Sequence, residues 1–172
     1  MPSMVTAVSK KPKSARRAKV APVPKGMASP LAYICVKSTD AAMTFYAKAF
    51  GAREIFRLKE PSGKVGHAEM KIGTSSMMLA DEYPDFGHLS PITVGGSPVQ
   101  FQLYVKDADV AAKRAVKAGA TLVRAVENQF YGDRSGTVAD PFGYKWMISH
   151  RTENVSPKEM QKRWNKMFAG QL

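Results

Sequence analysis

Apolar residues fall at every second position in two short stretches whose matching positions lie 69 residues apart. In residues 99–105, Val99, Phe101, Leu103 and Val105 alternate with Gln100, Gln102 and Tyr104, and in residues 31–36 the apolar set is Ala32, Ile34 and Val36. A period of two predicts a strand with two unlike faces. Each stretch runs into a helical pattern. Ala42, Tyr46, Ala49 and Phe50 form one stripe over residues 40–50, and Ala108, Ala112, Ala115 and Val116 form the other over 108–118. Thr39 or Asp40, and Asp107, suit the N-caps, while Gly51 and Gly119 stand where a left-handed residue ends a helix.

Three further strands follow each helix. The first set is 52–58, 64–72 and 75–80, punctuated by Pro61-Ser62-Gly63 and Gly73-Thr74; the second is 121–126, 134–139 and 144–150, with Asp140-Pro141-Phe142-Gly143 as its last turn. The pairs Val36-Lys37 and Val105-Lys106, Lys48-Ala49 and Lys117-Ala118, and Gly63 and Gly132 keep the same offset, so the chain reads as a duplicated β-α-β-β-β unit of the α+β class. Module one covers 30–80 and module two 99–150, within a domain spanning 29–152. Residues 81–98 form the linker, rich in proline and glycine. Beyond the domain, Ser156-Pro157-Lys158-Glu159 has the cap serine, first-turn proline and following glutamate of a helix start. A basic helix is expected within 153–172, ending near Phe168. Its stripe of Met160, Trp164 and Met167/Phe168 should pack on the body or on a partner subunit rather than on a membrane.

Charge changes this picture at the ends only. The chain of 172 residues carries +12, but residues 1–28 contain seven basic side chains and no acid, whereas the segment 29–152 has 15 basic and 12 acidic residues. A disordered, solvated tail is the reading for 1–28. Its acid-free composition is shared with mitochondrial transit peptides, but four prolines and the missing apolar stripe argue against an amphipathic helix there. Apolar runs stay well short of the roughly 18 residues that a membrane span requires. One cysteine, Cys35, excludes an internal disulfide and fits a reducing, cytoplasmic setting. Phosphate-binding glycine loops, a nucleophile elbow and a dinucleotide fingerprint are all absent from the sequence.

Four strings bring in a family. Phe45-Tyr46-Ala47-Lys48-Ala49-Phe50-Gly51-Ala52, Gly66-His67-Ala68-Glu69, Phe130-Tyr131-Gly132-Asp133-Arg134-Ser135-Gly136 and Asp140-Pro141-Phe142-Gly143-Tyr144-Lys145-Trp146, in this order, resemble the vicinal-oxygen-chelate superfamily and its PhnB-like branch. The resemblance covers about residues 30–150. It implies a curved mixed sheet forming a cup, with helices on the outside, and pairing of modules across a homodimer. It also implies one divalent metal held by a side chain from the first and last strand of each module, which in glyoxalase I are His, Glu, His and Glu or close equivalents. Aligning on Val36, Val105 and the Asp-Pro-Phe-Gly turn puts Leu31, Met78, Gln100 and Met147 at those positions. Alkyl, thioether and amide groups do not replace imidazole or carboxylate on zinc, nickel or iron. No cofactor is therefore expected, a relocated divalent metal being the alternative.

If the apolar strand faces pack on the helices, the cup is lined by Tyr33, Cys35, His67, Glu69, Ser76, Met78, Gln100, Gln102, Tyr104, Lys145, Met147 and Ser149. Tyr33, Met78, Gln100, Gln102, Tyr104, Lys145 and Met147 are the candidate ligand contacts, together with Arg134, whose planar fork of donors suits an anionic group. His67 and Glu69, two apart on one strand, share a face and are the candidates for proton transfer. Each has a plainer reading: packing in a closed cup, hydrogen bonding between sheet neighbours, or, for Arg134, bracing a turn with Asp133. By parity His150 faces the helices. His88 lies in the linker.

Three functions follow. The first is metal-independent binding of a small organic molecule, as in bleomycin-resistance proteins. The second is an isomerase, lyase or dioxygenase type of enzyme using His67 and Glu69 with or without a displaced metal. The third is a carrier domain tethered to polyanions by the basic tail, where seven dispersed cations would give only salt-sensitive, unspecific contact with nucleic acid.

Overall fold

The structure, a computed structural model, describes residues 21–24 and 30–169. Most of the basic tail expected over residues 1–28 lies outside the described residues.

The duplication is realised as two modules of the same topology. Module one runs β1 (Ala32–Val36), α1 (Thr39–Phe50), β2 (Arg53–Lys59), β3 (Val65–Ile72) and β4 (Ser75–Asp81), forming a four-stranded sheet of order β1-β4-β3-β2. The linker contains a 3-10 turn at Pro84–Phe86 and a one-turn helix α2 (Pro91–Val94). Module two runs β5 (Gln100–Tyr104), α3 (Ala108–Ala118), β6 (Thr121–Asn128), β7 (Asp133–Ala139) and β8 (Lys145–Arg151), in the order β5-β8-β7-β6. In each sheet the first and last strands pair in parallel and the others antiparallel. Helix α4 (Pro157–Phe168) follows.

Local chemistry sets the helix ends. Ser38, not Thr39 or Asp40, caps α1, its Oγ accepting from Ala41 N; Thr39 is turned inward, and its N–H donates to Asp81 Oδ1 at 2.6 Å. Asp107 caps α3 as expected, and His150, on the helix side of β8, accepts from Ala108 N at 2.9 Å through Nδ1. The α1 stripe is buried as read. On α3 the small residues Ala108, Ala111, Ala112 and Ala115 are buried while Val116 points out, because α1 approaches along the alanine face. Alanines on both helices permit a close crossing. Arg114 locks it by donating from Nε to Ala49 O at 2.7 Å, a cation at the C-terminal end of α1.

One carboxylate joins the modules. Asp140 opens the turn between β7 and β8; its Oδ1 accepts from Phe142 N and Tyr144 N, both at 2.9 Å, and its Oδ2 from Trp146 Nε1 at 2.9 Å and from Tyr46 Oη of α1 at 2.8 Å. Burial pushes the Asp140 carboxyl above its ordinary value, and these four donors oppose that rise. Around it Tyr46, Phe50, Phe101, Phe142 and Trp146 form one aromatic core; the Phe50 and Phe101 rings each lie 4.6 Å from that of Trp146. Tyr144 Oη donates to Cys35 O at 3.1 Å, a second link from module two to module one. Gly143 closes the turn with φ of 91°, and a Cβ there would meet Pro91 Cβ at 2.7 Å, so no other residue fits without movement.

Each sheet packs its helices on one face and leaves the other open. That open face is visible in exposed apolar side chains: Tyr33 (49%), Phe56 (40%) and Leu58 (60%) on module one, and Tyr104 on module two. No helix among the described residues is long and apolar enough to cross a membrane.

Tyr46→Phe removes one donor from a buried carboxylate and should cost about 1.5–3 kcal/mol. Urea unfolding measures it; a loss below about 0.5 kcal/mol would mean that Asp140 does not tie the modules together.

Candidate functional site

Strand register sets the two open faces residue by residue. Across the first sheet Tyr33, Met78, Glu69 and Phe56 stand side by side, and across the second Gln102, Met147, Thr137 and Arg124 do the same. The two rows occupy equivalent places in the duplicated modules. The methionine is common to both, while the other three places have diverged.

On module one, His67 stands next to this row, in register with Leu58. Its Nδ1 lies 3.2 Å from Tyr33 Oη and its Nε2 lies 3.5 Å from Glu69 Oε1. The Tyr33 and Phe56 rings are both 5.5 Å from the imidazole, centre to centre. Glu69 is only 6% exposed, so its carboxylate rests on a single long contact to His67 among the described residues. His88, assigned to the linker from sequence, also packs against Tyr33, with ring centres 5.6 Å apart. Burial raises the Tyr33 phenol, which therefore stays protonated and can donate to His67. Lys71 and Arg53 share the open face farther along, paired in register.

On module two, Gln102 donates to Ser149 Oγ at 2.7 Å, and Ser135 and Tyr131 hydroxyls are 3.1 Å apart. Tyr104 donates to Asp133 Oδ2 at 2.7 Å, and the same buried carboxylate is ion-paired to Arg151. Gln100 and Lys145 pair in register at one end. Arg134 is placed elsewhere: in register with His150 it lies on the helix side, where its fork grips Asp109 of α3 at 2.7 and 2.8 Å. On the open face of module two the arginine without a carboxylate partner among the described residues is Arg124. A strand irregularity in β6 between Leu122 and Arg124 sets which way that side chain points, and no period-two reading signals it.

Cys35 shares the open-face parity of Tyr33 but is buried. Burial first, then the nearby Glu82 and Asp81 carboxylates, push its thiol up to about 11. It is a packing residue rather than a nucleophile.

The geometry extends the metal question. Met78 and Met147 have Tyr33 and Gln102 as their parallel partners, and Leu31 lies just outside β1. Taken with either neighbour, the set supplies thioether, amide and phenol or alkyl groups, which do not fit a hard divalent ion. Among the described residues no group of three or more His, Cys, Asp or Glu side chains could hold a metal.

Residues 28–148 match the profile of the Glyoxalase/Bleomycin resistance protein/Dioxygenase superfamily, and the chain belongs to that superfamily. It is 40% identical over 132 residues to protein Mb0911c of Mycobacterium bovis, covering 75% of this chain and 87% of that protein. The Arabidopsis thaliana protein At5g48480 is 34% identical over 129 residues, which is 70% of this chain and 76% of that one. The X-ray structure of the At5g48480 product superposes with a TM-score of 0.58 at 32% identity, over 72% of this chain and 98% of that chain. The PhnB protein from Bacillus cereus shares the fold, with a TM-score of 0.56 at 12% identity over 72% of this chain and 99% of that chain.

With the Cys35 thiol near 11, less than about 1% is thiolate at pH 8. A thiol-specific reagent should therefore label the native protein no faster than it unfolds. Labelling at the rate of an unfolded peptide would contradict this placement.

Proposed function

We propose that this protein is a binder of a small organic molecule, of the PhnB-like kind, in which the ligand lies against the open sheet faces and a second copy of the chain closes the cup. The observation that carries this reading is the pair of matched rows, Tyr33–Met78–Glu69–Phe56 and Gln102–Met147–Thr137–Arg124. Each row sets a polarisable thioether among polar groups, and the first adds the Tyr33 and Phe56 rings, the mixture that ligand sites use. Within one chain both faces stay open, and exposed Leu58 and Phe56 give module one an apolar surface suited to a partner. A homodimer that sets module one of one copy against module two of another would bring unlike rows together without a metal or other cofactor. The single buried cysteine agrees with a cytoplasmic setting.

Screening drugs and metabolites by thermal shift tests the binding. A ligand at a hundred times its Kd adds about 2.7 kcal/mol, roughly 5–10 °C in a domain of this size. Silence across a broad panel would sink the proposal. Light scattering tests the closure: the expected mass is that of two 18.8 kDa chains, and Leu58→Glu should give monomers. A wild-type monomer at high concentration would remove the partner from the proposal.

A second reading rests on the Tyr33–His67–Glu69 chain of contacts. A histidine held between a phenol and a carboxylate can accept and return a proton, as an isomerase or lyase needs. His67→Ala should then abolish turnover of any substrate found while leaving its binding within about threefold. Retained turnover would dismiss the relay.

A further inference from the structure

We infer that Arg124 is the anchor for a carboxylate on the ligand, so that the molecule bound on module two is an organic acid. The inference rests on the binding role proposed above and adds the class of ligand.

Seven arginines lie among the described residues, and their partners set Arg124 apart. Arg57, Arg134, Arg151 and Arg163 pair with carboxylates. Arg114 donates to a backbone carbonyl. The Arg53 side chain, opposite Lys71 at the start of β2, has no hydrogen-bond or ion-pair partner among the described residues. Arg124 is held by neutral groups alone: NH1 donates to Gln129 Oε1 at 3.3 Å, and NH2 lies 3.3 Å from Ser135 Oγ and 3.4 Å from Met147 Sδ. These contacts lay the guanidinium over the open face without neutralising it. A planar cation positioned in this way keeps free donors for a carboxylate, which it can take two-pronged.

The surroundings suit the same guest. Thr137 pairs with Arg124 across the strands, and Ser135 carries the Tyr131 hydroxyl, so hydroxyls border the fork. Met147 offers a polarisable surface for the apolar part of the ligand. Of the other charged groups on this face, Lys145 is a second cation without an ion-pair partner among the described residues, and Asp133 is already neutralised by Arg151 and bonded to Tyr104. Glu127 is the remaining acid, in register with Ser135 and without an ion pair to Arg124.

Calorimetry with 2-naphthoate and 2-naphthamide, probes of one shape that differ in charge, tests the inference on the full chain. The acid should bind at least about tenfold more tightly, equivalent to about 1.4 kcal/mol. Arg124→Gln should erase that preference and Arg124→Lys should keep part of it. Lys106→Gln, an exposed change that removes the same unit of charge elsewhere, should leave the preference intact. Equal binding of the two probes by the wild type, or a preference that survives in Arg124→Gln, overturns the anchor while the binding role stands. Failure of both probes to bind overturns the anchor and counts against the binding role as well.

Discussion

A carboxylate removed from water must be met by donors, and Asp140 meets this demand by reaching across a module boundary. Two of its donors are backbone N–H groups of its own turn, one is Trp146 on the next strand, and the fourth is Tyr46 in α1 of the other module. The turn therefore holds its shape, the indole keeps its orientation and α1 keeps its position through one shared anion. Trp146 in turn fixes Phe50 and Phe101, and the alanine faces of α1 and α3 close beside them. With the helices drawn together on this side, both sheets must present their other faces outward. The open faces follow from the way the buried carboxylate is satisfied.

Much of the fold was legible because the governing signals are local or periodic. Strand alternation, helix stripes and the 69-residue offset lie in the sequence itself, and Asp107, His150 and the Ser156 helix start behave as their positions indicate. The departures have a common origin in packing between elements. Val116 has the right spacing for the α3 stripe, yet Ala111 is the buried residue because α1 crosses there. Ser38 takes the cap, its Oγ accepting from Ala41 N, while Thr39 enters the first turn and gives its N–H to Asp81, more than forty residues away.

The site divides in the same manner. Parity alone places Tyr33, His67, Glu69 and Met78 on one face, and Gln100, Gln102, Tyr104, Lys145 and Met147 on the other module's counterpart. Arg134, expected to contact the ligand, lies on the helix side, and Arg124, which the sequence did not single out, stands on the open face. Arg134 sits in a segment rich in turn signals that becomes regular strand, so its side is decided by pairing with His150 and by the pull of Asp109. Arg124 depends on an irregularity in β6 whose presence only the paired strands reveal. His88, remote in sequence from every strand of module one, reaches Tyr33 because the linker folds back through the Tyr83–His88 bridge.

The matched rows carry a consequence for symmetry. Duplication would first have produced two equal surfaces, and a ligand between equal surfaces can lie either way round with the same energy. Here only the thioether has stayed the same, while a phenol in one module corresponds to an amide in the other, a carboxylate to a hydroxyl and a phenyl ring to a guanidinium. The surfaces have become two different ends. A molecule held between them would have a head and a tail imposed on it, because reversing it would leave only the thioether contacts unchanged.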